Sequence, residues 1–186
     1  MKIVGIAGSL RAQSFNAALL RTAVGLAPEG VTIEVESIRG IPLYDGDVEA
    51  SQGLPAAVTG LKEKIAACDG LLLATPEYNN SIPGVFKNAI DWLSRPAADI
   101  PKVFGNRPVA VMGASPGGFG TILSQNAWLP VLRTLRTRQW FGPPMLVSGA
   151  GKVFDASGTL TDADIRRRLQ EFLKGFADFV RSTQAK

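Results

Sequence analysis

Apolar and polar positions follow two rhythms along this chain. Lys2 to Ala7 is a short apolar run that predicts a buried strand. It passes straight into Gly8 to Asn16, a stretch of small, hydroxyl and amide residues with one arginine. Beyond it, Ala17, Leu19, Leu20, Ala23, Val24 and Ala27 recur on one helical face. Val31 to Ile38 sets Val31, Ile33 and Val35 against Glu34 and Glu36, the pattern of a half-exposed edge strand. Arg39 to Pro55 reads as loop, broken by Gly40, Pro42, Gly46, Gly53 and Pro55. Ala56 to Ala67 predicts a helix with Val58, Leu61 and Ile65 inward. Gly70 to Ala74 is wholly apolar, as a buried parallel strand should be. Thr75 to Gly84 is a second polar loop, and Val85 to Ser94 a helix begun at the Pro83 turn. Arg95 to Arg107 reads as loop, long enough to reach over a neighbouring site. Val109 to Met112 is a strand and Ala114 to Gly120 a third special loop. Thr121 to Thr137 is a helix that Pro130 should kink or divide. Pro144 to Val147 is a fifth strand, Val153 to Thr161 a loop, and Asp162 to Ser182 an amphipathic closing helix.

Strands alternating with helices imply a parallel sheet covered on both faces. The expected fold is α/β: one domain over residues 1–186, a flavodoxin-like three-layer sandwich with a five-stranded parallel sheet in the order 2-1-3-4-5. The alternating second strand suits an edge. Ligands in such sheets sit at the carboxyl ends of the strands, where strands one and three diverge. All three special loops leave the carboxyl ends of strands one, three and four, so the fold should gather them.

Composition narrows the chemistry. The chain contains no histidine, which removes His-based triads, the common zinc sites and the usual general base. Chemistry here therefore points to a bound organic cofactor, with no metal site expected. The single cysteine, Cys68, excludes an internal disulfide, fits a reducing cytoplasm and reads as a buried structural thiol. No apolar run approaches the roughly 18 residues of a membrane span. The glycine-broken N-terminal run reads as a first strand and not as a secretion signal. A formal charge of +4 and a pI near 9.5 suit anionic ligands. The clusters Arg133 to Arg138 and Arg166 to Arg168 fall in helical patterns and read as solvated faces, so no nucleic-acid partner is expected.

Gly5 to Asn16 is the stretch the rest is organised around. A strand that ends in a loop and reopens as a helix offers unpaired N–H groups and a favourable dipole to an anion. Ser9 and Ser14 add hydroxyls, Asn16 an amide, and Arg11 a fork suited to phosphate oxygens. The nucleoside-triphosphate loop and the dinucleotide glycine fingerprint are both missing, leaving a cradle suited to a terminal monophosphate. By itself the stretch is equally a capped helix, with Ser14 as N-cap. The second loop, Thr75 to Gly84, is dense in polar groups and stiffened by two prolines and a glycine. It could read the edge of a planar heterocycle, with Tyr78 against or beside the ring. The third loop, Ala114 to Gly120, lets backbone approach a ligand closely.

The combination Gly8-Ser9-Leu10-Arg11, Ser14 and Asn16, with Pro76-Glu77-Tyr78-Asn79-Asn80-Ser81-Ile82-Pro83-Gly84 and Lys87-Asn88-Ala89-Ile90-Asp91-Trp92, resembles the NAD(P)H-dependent FMN reductases. These are flavodoxin-like enzymes that include quinone, azo-dye and chromate reductases. The resemblance runs from residue 2 to about residue 148. It implies that Ser9, Arg11, Ser14, Phe15 and Asn16 bind at the FMN phosphate. It implies that Pro76, Glu77, Tyr78, Asn79 and Ser81 line the ring and ribityl groups, with Ser115, Gly117 and Gly118 on the ring's other side. It implies NADPH or NADH as donor, small-molecule acceptors (quinones, azo compounds, free flavin, metal oxyanions) and a homodimer or homotetramer. Ping-pong hydride transfer through FMN needs no protein acid or base, which fits a chain without histidine. No side chain is assigned a covalent or proton-transfer role. Tyr78 is expected to stack on or gate substrate, and Glu77 to brace its loop. Trp92, Trp128 and Trp140 read equally as interface or core. An FMN-binding electron carrier or redox sensor without turnover of its own is the alternative, and the positive charge counts against a carrier.

Overall fold

The computed structural model describes residues 1–184. Its central sheet comprises β1 (Lys2–Ala7), β2 (Thr32–Ser37), β3 (Gly70–Ala74), β4 (Pro108–Ala114), β5 (Arg138–Gln139) and β6 (Met145–Val147), all parallel. The strand order is β2-β1-β3-β4-β5, as expected, but the sheet has six strands and not five: the strand expected over residues 144–147 is β6, also on β4, and the two-residue β5 shares its lane. The last lane is divided. Pro108 and Val109 pair with β5, Met112 to Ala114 pair with β6, and Gly142, Pro143 and Pro144 fall in the gap. Prolines cannot donate to the ladder, so the lane breaks there.

Side-chain alternation divides the core into two halves. Ile3, Leu72, Ala74, Ala110, Met112 and Ala114 face the layer of α1 (Phe15–Gly25) and α8 (Ala163–Gln184). Val4, Ile6, Leu71, Leu73 and Val109 face α3 (Ala56–Ala66), α4 (Gly84–Leu93) and α6 (Ile122–Thr134). Trp92 and Trp128 are fully buried in the second half, which settles them as core. Trp140 is half-buried, edge-on to Phe172 at 4.8 Å. On the edge strand β2 only Ile33 is buried; Val35 is 38% exposed. Cys68 is buried and bonds the Gly70 carbonyl at 3.1 Å; burial pushes its thiol pKa up. Among the described residues no helix is long and apolar enough to cross a membrane.

Two expected loops are structured. Residues 39–55 hold α2 (Gly46–Gln52), because Asp45 caps it by accepting from the Asp47 N–H at 2.9 Å and Asp47 and Glu49 suit its positive end. Gly46 and Gly53, taken as breakers, are its first residue and its C-cap. Residues 95–106 do not reach over a neighbouring site. They form a turn of 3₁₀ helix (Ala97–Asp99) and α5 (Ile100–Val103), and bury Val103 and Phe104 in the core. Buried Lys62 ties this segment down through Asp99 at 2.6 Å and the Arg95 carbonyl. α6 passes through Pro130 undivided and ends at Thr134. α7 (Ala150–Val153) follows β6.

The segment leaving β2 crosses to α4 as a strap. Asn88 grips it twice, donating to the Pro42 carbonyl at 2.8 Å and accepting from the Tyr44 N–H at 2.9 Å. Trp92 Nε1 donates to the same carbonyl at 3.0 Å, and the Tyr44 ring stands edge-on to Trp92 at 4.9 Å. Tyr44 and Arg95 both bond Glu49, at 2.9 and 2.8 Å; the Arg95 guanidinium holds that carboxyl below its usual range, and Glu49 raises the Tyr44 phenol.

Candidate functional site

The first, second and third loops meet at the carboxyl edge of the sheet because the parallel ladder continues past the strands. Gly8 N–H donates to Ala74, Thr75 N–H to Met112 and Ser115 N–H to Val147, each at 2.9 Å. Close packing assists: a Cβ on Gly8 would lie 2.0 Å from the Phe86 ring, and one on Gly113 would lie 2.0 Å from Thr121 Oγ1. Glycine alone allows these approaches.

Ser14 begins α1, its Oγ accepting from the Ala17 N–H at 3.2 Å. The N–H groups of Phe15 and Asn16 then stand in the first turn with no acceptor among the described residues. Ser9 Oγ accepts from the Arg11 N–H at 3.3 Å, and Ser115 Oγ from the Gly117 N–H at 3.1 Å. A hydroxyl that accepts a backbone N–H keeps its own proton for a ligand. The exposed Arg11 guanidinium has no partner among the described residues. Unspent donors and positive charge thus converge at the N-terminus of an 11-residue helix, where an anion belongs.

The second loop is a miniature hairpin. Tyr78 and Ser81 exchange N–H···O bonds of 3.2 and 3.0 Å, and between them Asn79 and Asn80 take φ of 50° and 62°. Two successive positive φ values are what a type I′ turn demands, and asparagine tolerates them. The Asn-Asn turn, more than the prolines, sets this loop's shape. Tyr78 N–H is consumed in the hairpin, while the Glu77 and Asn79 N–H groups have no acceptor among the described residues. Below it, Thr75 is fully buried; its Oγ1 donates to the Pro76 carbonyl at 2.9 Å, shares a bond with Ser124 Oγ at 2.8 Å and accepts from Trp128 Nε1 at 3.0 Å.

A cavity of about 60 Å³ lies between the loops, lined by Ser9, Arg11, Ser14, Phe15, Asn16, Pro76, Glu77, Tyr78, Ala114, Ser115 and Pro116. Asn79, Ser81, Gly117 and Gly118 flank it without lining it. A Cβ on Gly118 would meet nothing within 4 Å, so the space above the third loop is open. Ala114 and Pro116 belong to the expected third loop but not to the expected site residues; neither side chain has reactive chemistry, and only their place at and just beyond the end of β4 marks them.

Two expected ligand groups serve the scaffold instead. Asn16 is buried, and its amide both donates to the Ala114 carbonyl and accepts the Ala114 N–H, each at 2.9 Å. It clamps the first loop to the third and leaves its backbone N–H, not its amide, for a ligand. Glu77 Oε2 accepts from the N–H groups of Leu123 and Ser124 at 2.9 and 3.0 Å. It caps α6, which has no side-chain cap of its own, and so braces the second loop as expected. With Glu77 so engaged, the cradle is a donor set without a free carboxylate, which fits the phosphate of FMN.

Residues 1–150 match the family model described as NADPH-dependent FMN reductase. An NAD(P)H-dependent FMN reductase of Pseudomonas aeruginosa is 45% identical over 97% of this chain and 96% of its own length. A 2-hydroxy-1,4-benzoquinone reductase of a Burkholderia species is 38% identical, with 97% of each chain aligned. Among solved structures, the flavoenzyme NAD(P)H:(acceptor) oxidoreductase FerB of Paracoccus denitrificans superposes with a TM-score of 0.86 at 32% identity, covering 98% of both chains.

Proposed function

The chain belongs to the NADPH-dependent FMN reductase family, and from that premise we propose that it is an FMN-dependent NAD(P)H oxidoreductase acting on quinones, with azo compounds, free flavin and metal oxyanions as further acceptors. When bound, FMN supplies the redox chemistry, accepting a hydride from NAD(P)H and delivering it to the acceptor in ping-pong half-reactions. The carrying observation is the convergence of unspent donors at the start of α1. The hydroxyls of Ser9 and Ser14, the Arg11 guanidinium and the Phe15 and Asn16 N–H groups bind the phosphate. Pro76, Glu77, Tyr78, Asn79 and Ser81 present the rigid second loop to the ring, its open Glu77 and Asn79 N–H groups facing developing negative charge. Ser115, Gly117 and Gly118 flank the opposite side. Tyr78, 43% exposed, stacks on or gates the incoming substrate. A homodimer or homotetramer fits the exposed apolar residues Phe119, Ile122, Leu123, Leu129 and Phe141. A cytoplasmic location fits the lone reduced thiol of Cys68.

The test is the absorption spectrum of the protein loaded with FMN, under argon, before and after NADPH and then benzoquinone. Bleaching by the donor and recovery with the quinone supports the reading, and parallel lines in double-reciprocal kinetics support ping-pong. Flavin bands that persist with both NADPH and NADH would make the protein a carrier or sensor. A protein that takes up no flavin overturns the cradle.

A further inference from the structure

A second cavity, of about 320 Å³, borders the phosphate cradle. It shares Arg11, Ser14 and Phe15 with the first, and takes no lining from the second or third loop. Its remaining walls are Ala12 and Gln13 of the first loop, the side of α1 at Ala18 and Arg21, Gly151 of α7, and the turn from Phe154 to Gly158. Phe15 and Phe154 stack at 5.8 Å and 29°, giving an aromatic surface beside it.

The charges of this cavity are unequal in availability. Asp155 is the one acidic residue lining it, and its Oδ1 already accepts from Ser157 N–H, Ser157 Oγ and Thr159 N–H at 2.8, 2.6 and 2.9 Å. The turn therefore engages Oδ1 of the carboxylate and fixes its position. Arg11 and Arg21 have no partner among the described residues. Arg21 lies against the turn: a Cβ on Gly158, whose φ is +80°, would come within 2.9 Å of its Nη2. With Arg11 shared with the flavin phosphate, Arg21 is left as a free guanidinium at an aromatic-walled hollow, which suits a phosphate attached to a ring-sized body.

Flavin phosphate does not account for both arginines. Arg21 lies six residues beyond Phe15, about 9 Å along the helix at about 1.5 Å per residue. FMN has a single phosphate, which the start of α1 already takes. The phosphorylated donor is the other reactant with separated anionic groups, its pyrophosphate and its 2′-phosphate. A hollow of about 320 Å³ is at the small end of ligand sites and suits one end of a dinucleotide, not all of it. We infer that this cavity receives the 2′-phosphoadenosine end of NADPH, with Arg21 as the residue that selects NADPH over NADH. The inference rests on the reductase reading above.

The test uses FMN-loaded protein and the variants Arg21→Ala and Arg21→Lys. Calorimetric titration with 2′,5′-ADP is expected to show binding to the parent that weakens about tenfold or more in Arg21→Ala and partly recovers in Arg21→Lys. The ratio of kcat/KM for NADPH to that for NADH is expected to fall about tenfold in Arg21→Ala. FMN affinity, measured separately, should match the parent and report a folded variant. Equal 2′,5′-ADP binding in parent and Arg21→Ala, or none in the parent, overturns the assignment while leaving the flavin reading intact. Binding that depends on Arg21 but does not compete with NADPH would also overturn it, marking a site for a free nucleotide. Failure of the parent to bind FMN would instead sink the reductase reading.

Discussion

The strap from Arg39 to Tyr44 and the first loop from Gly8 to Asn16 both cross at the carboxyl edge of the sheet. In the strap, protein groups hold the key polar atoms: Asn88 and Trp92 take the Pro42 carbonyl, Asn88 takes the Tyr44 N–H, and Glu49, itself held by Arg95, takes the Tyr44 hydroxyl. In the first loop Arg11 and the first turn of α1 leave donors without acceptors among the described residues. Unmatched donors cost free energy unless water or a ligand meets them. One crossing is thus held by the scaffold, and the other keeps donors to offer a ligand.

The sharpest way to separate the two is to injure each. Trp92→Ala removes a fully buried indole and the strap's anchor. It should cost about 3–5 kcal/mol in denaturant unfolding, while the protein that remains folded keeps its affinity for FMN. Arg11→Ala should do the reverse. Loss of charge-assisted bonds worth about 1.5–3 kcal/mol raises the FMN Kd roughly 10- to 100-fold, with apoprotein stability within about 0.5 kcal/mol of the parent. If both variants lose stability and affinity together, the contrast between scaffold and site fails.

Glu77 sits between the categories, since a site loop holds it and a helix uses it. Glu77→Ala should cost about 1–2 kcal/mol, the size of a lost helix cap, and weaken FMN binding less than Arg11→Ala does. The smallest effect belongs to the far edge of the sheet. Lys2 and Lys64 hold the Glu34 carboxyl at a pKa of about 2, against an ordinary 4.5. A depressed carboxyl stabilises the fold above its ordinary pKa and loses that contribution as pH falls toward about 2. In acid unfolding, parent and Glu34→Gln should differ slightly at neutral pH and converge near pH 2, with FMN affinity at neutral pH untouched.

The same contrast marks what could be read from the chain. The strand order follows from alternation, since apolar runs such as Leu71 to Leu73 have one stable place in a sheet covered on both sides. The three loops were legible because topology sends every strand end to one edge. Whether a side chain faces ligand or protein was not. Asn16 and Glu77 have the chemistry of ligands, and their partners, Ala114 and the start of α6, lie 98 and 46 residues away. Contacts that distant leave no local trace. α2 and α5 were missed for a related reason: glycine and proline normally break structure, and here they start or end it.

The division of the last lane bears on how crowded copies of this protein coexist. An exposed sheet border is a template onto which another chain can add. At this border the template comes in pieces of two and three residues, with Pro143 and Pro144 between them. An incoming strand finds no run long enough to lock a register. The opposite border, β2, presents Glu34 and Glu36 with Lys2 and Lys64 beside them. Both borders are thus guarded against fibrous growth, one by interruption and one by charge.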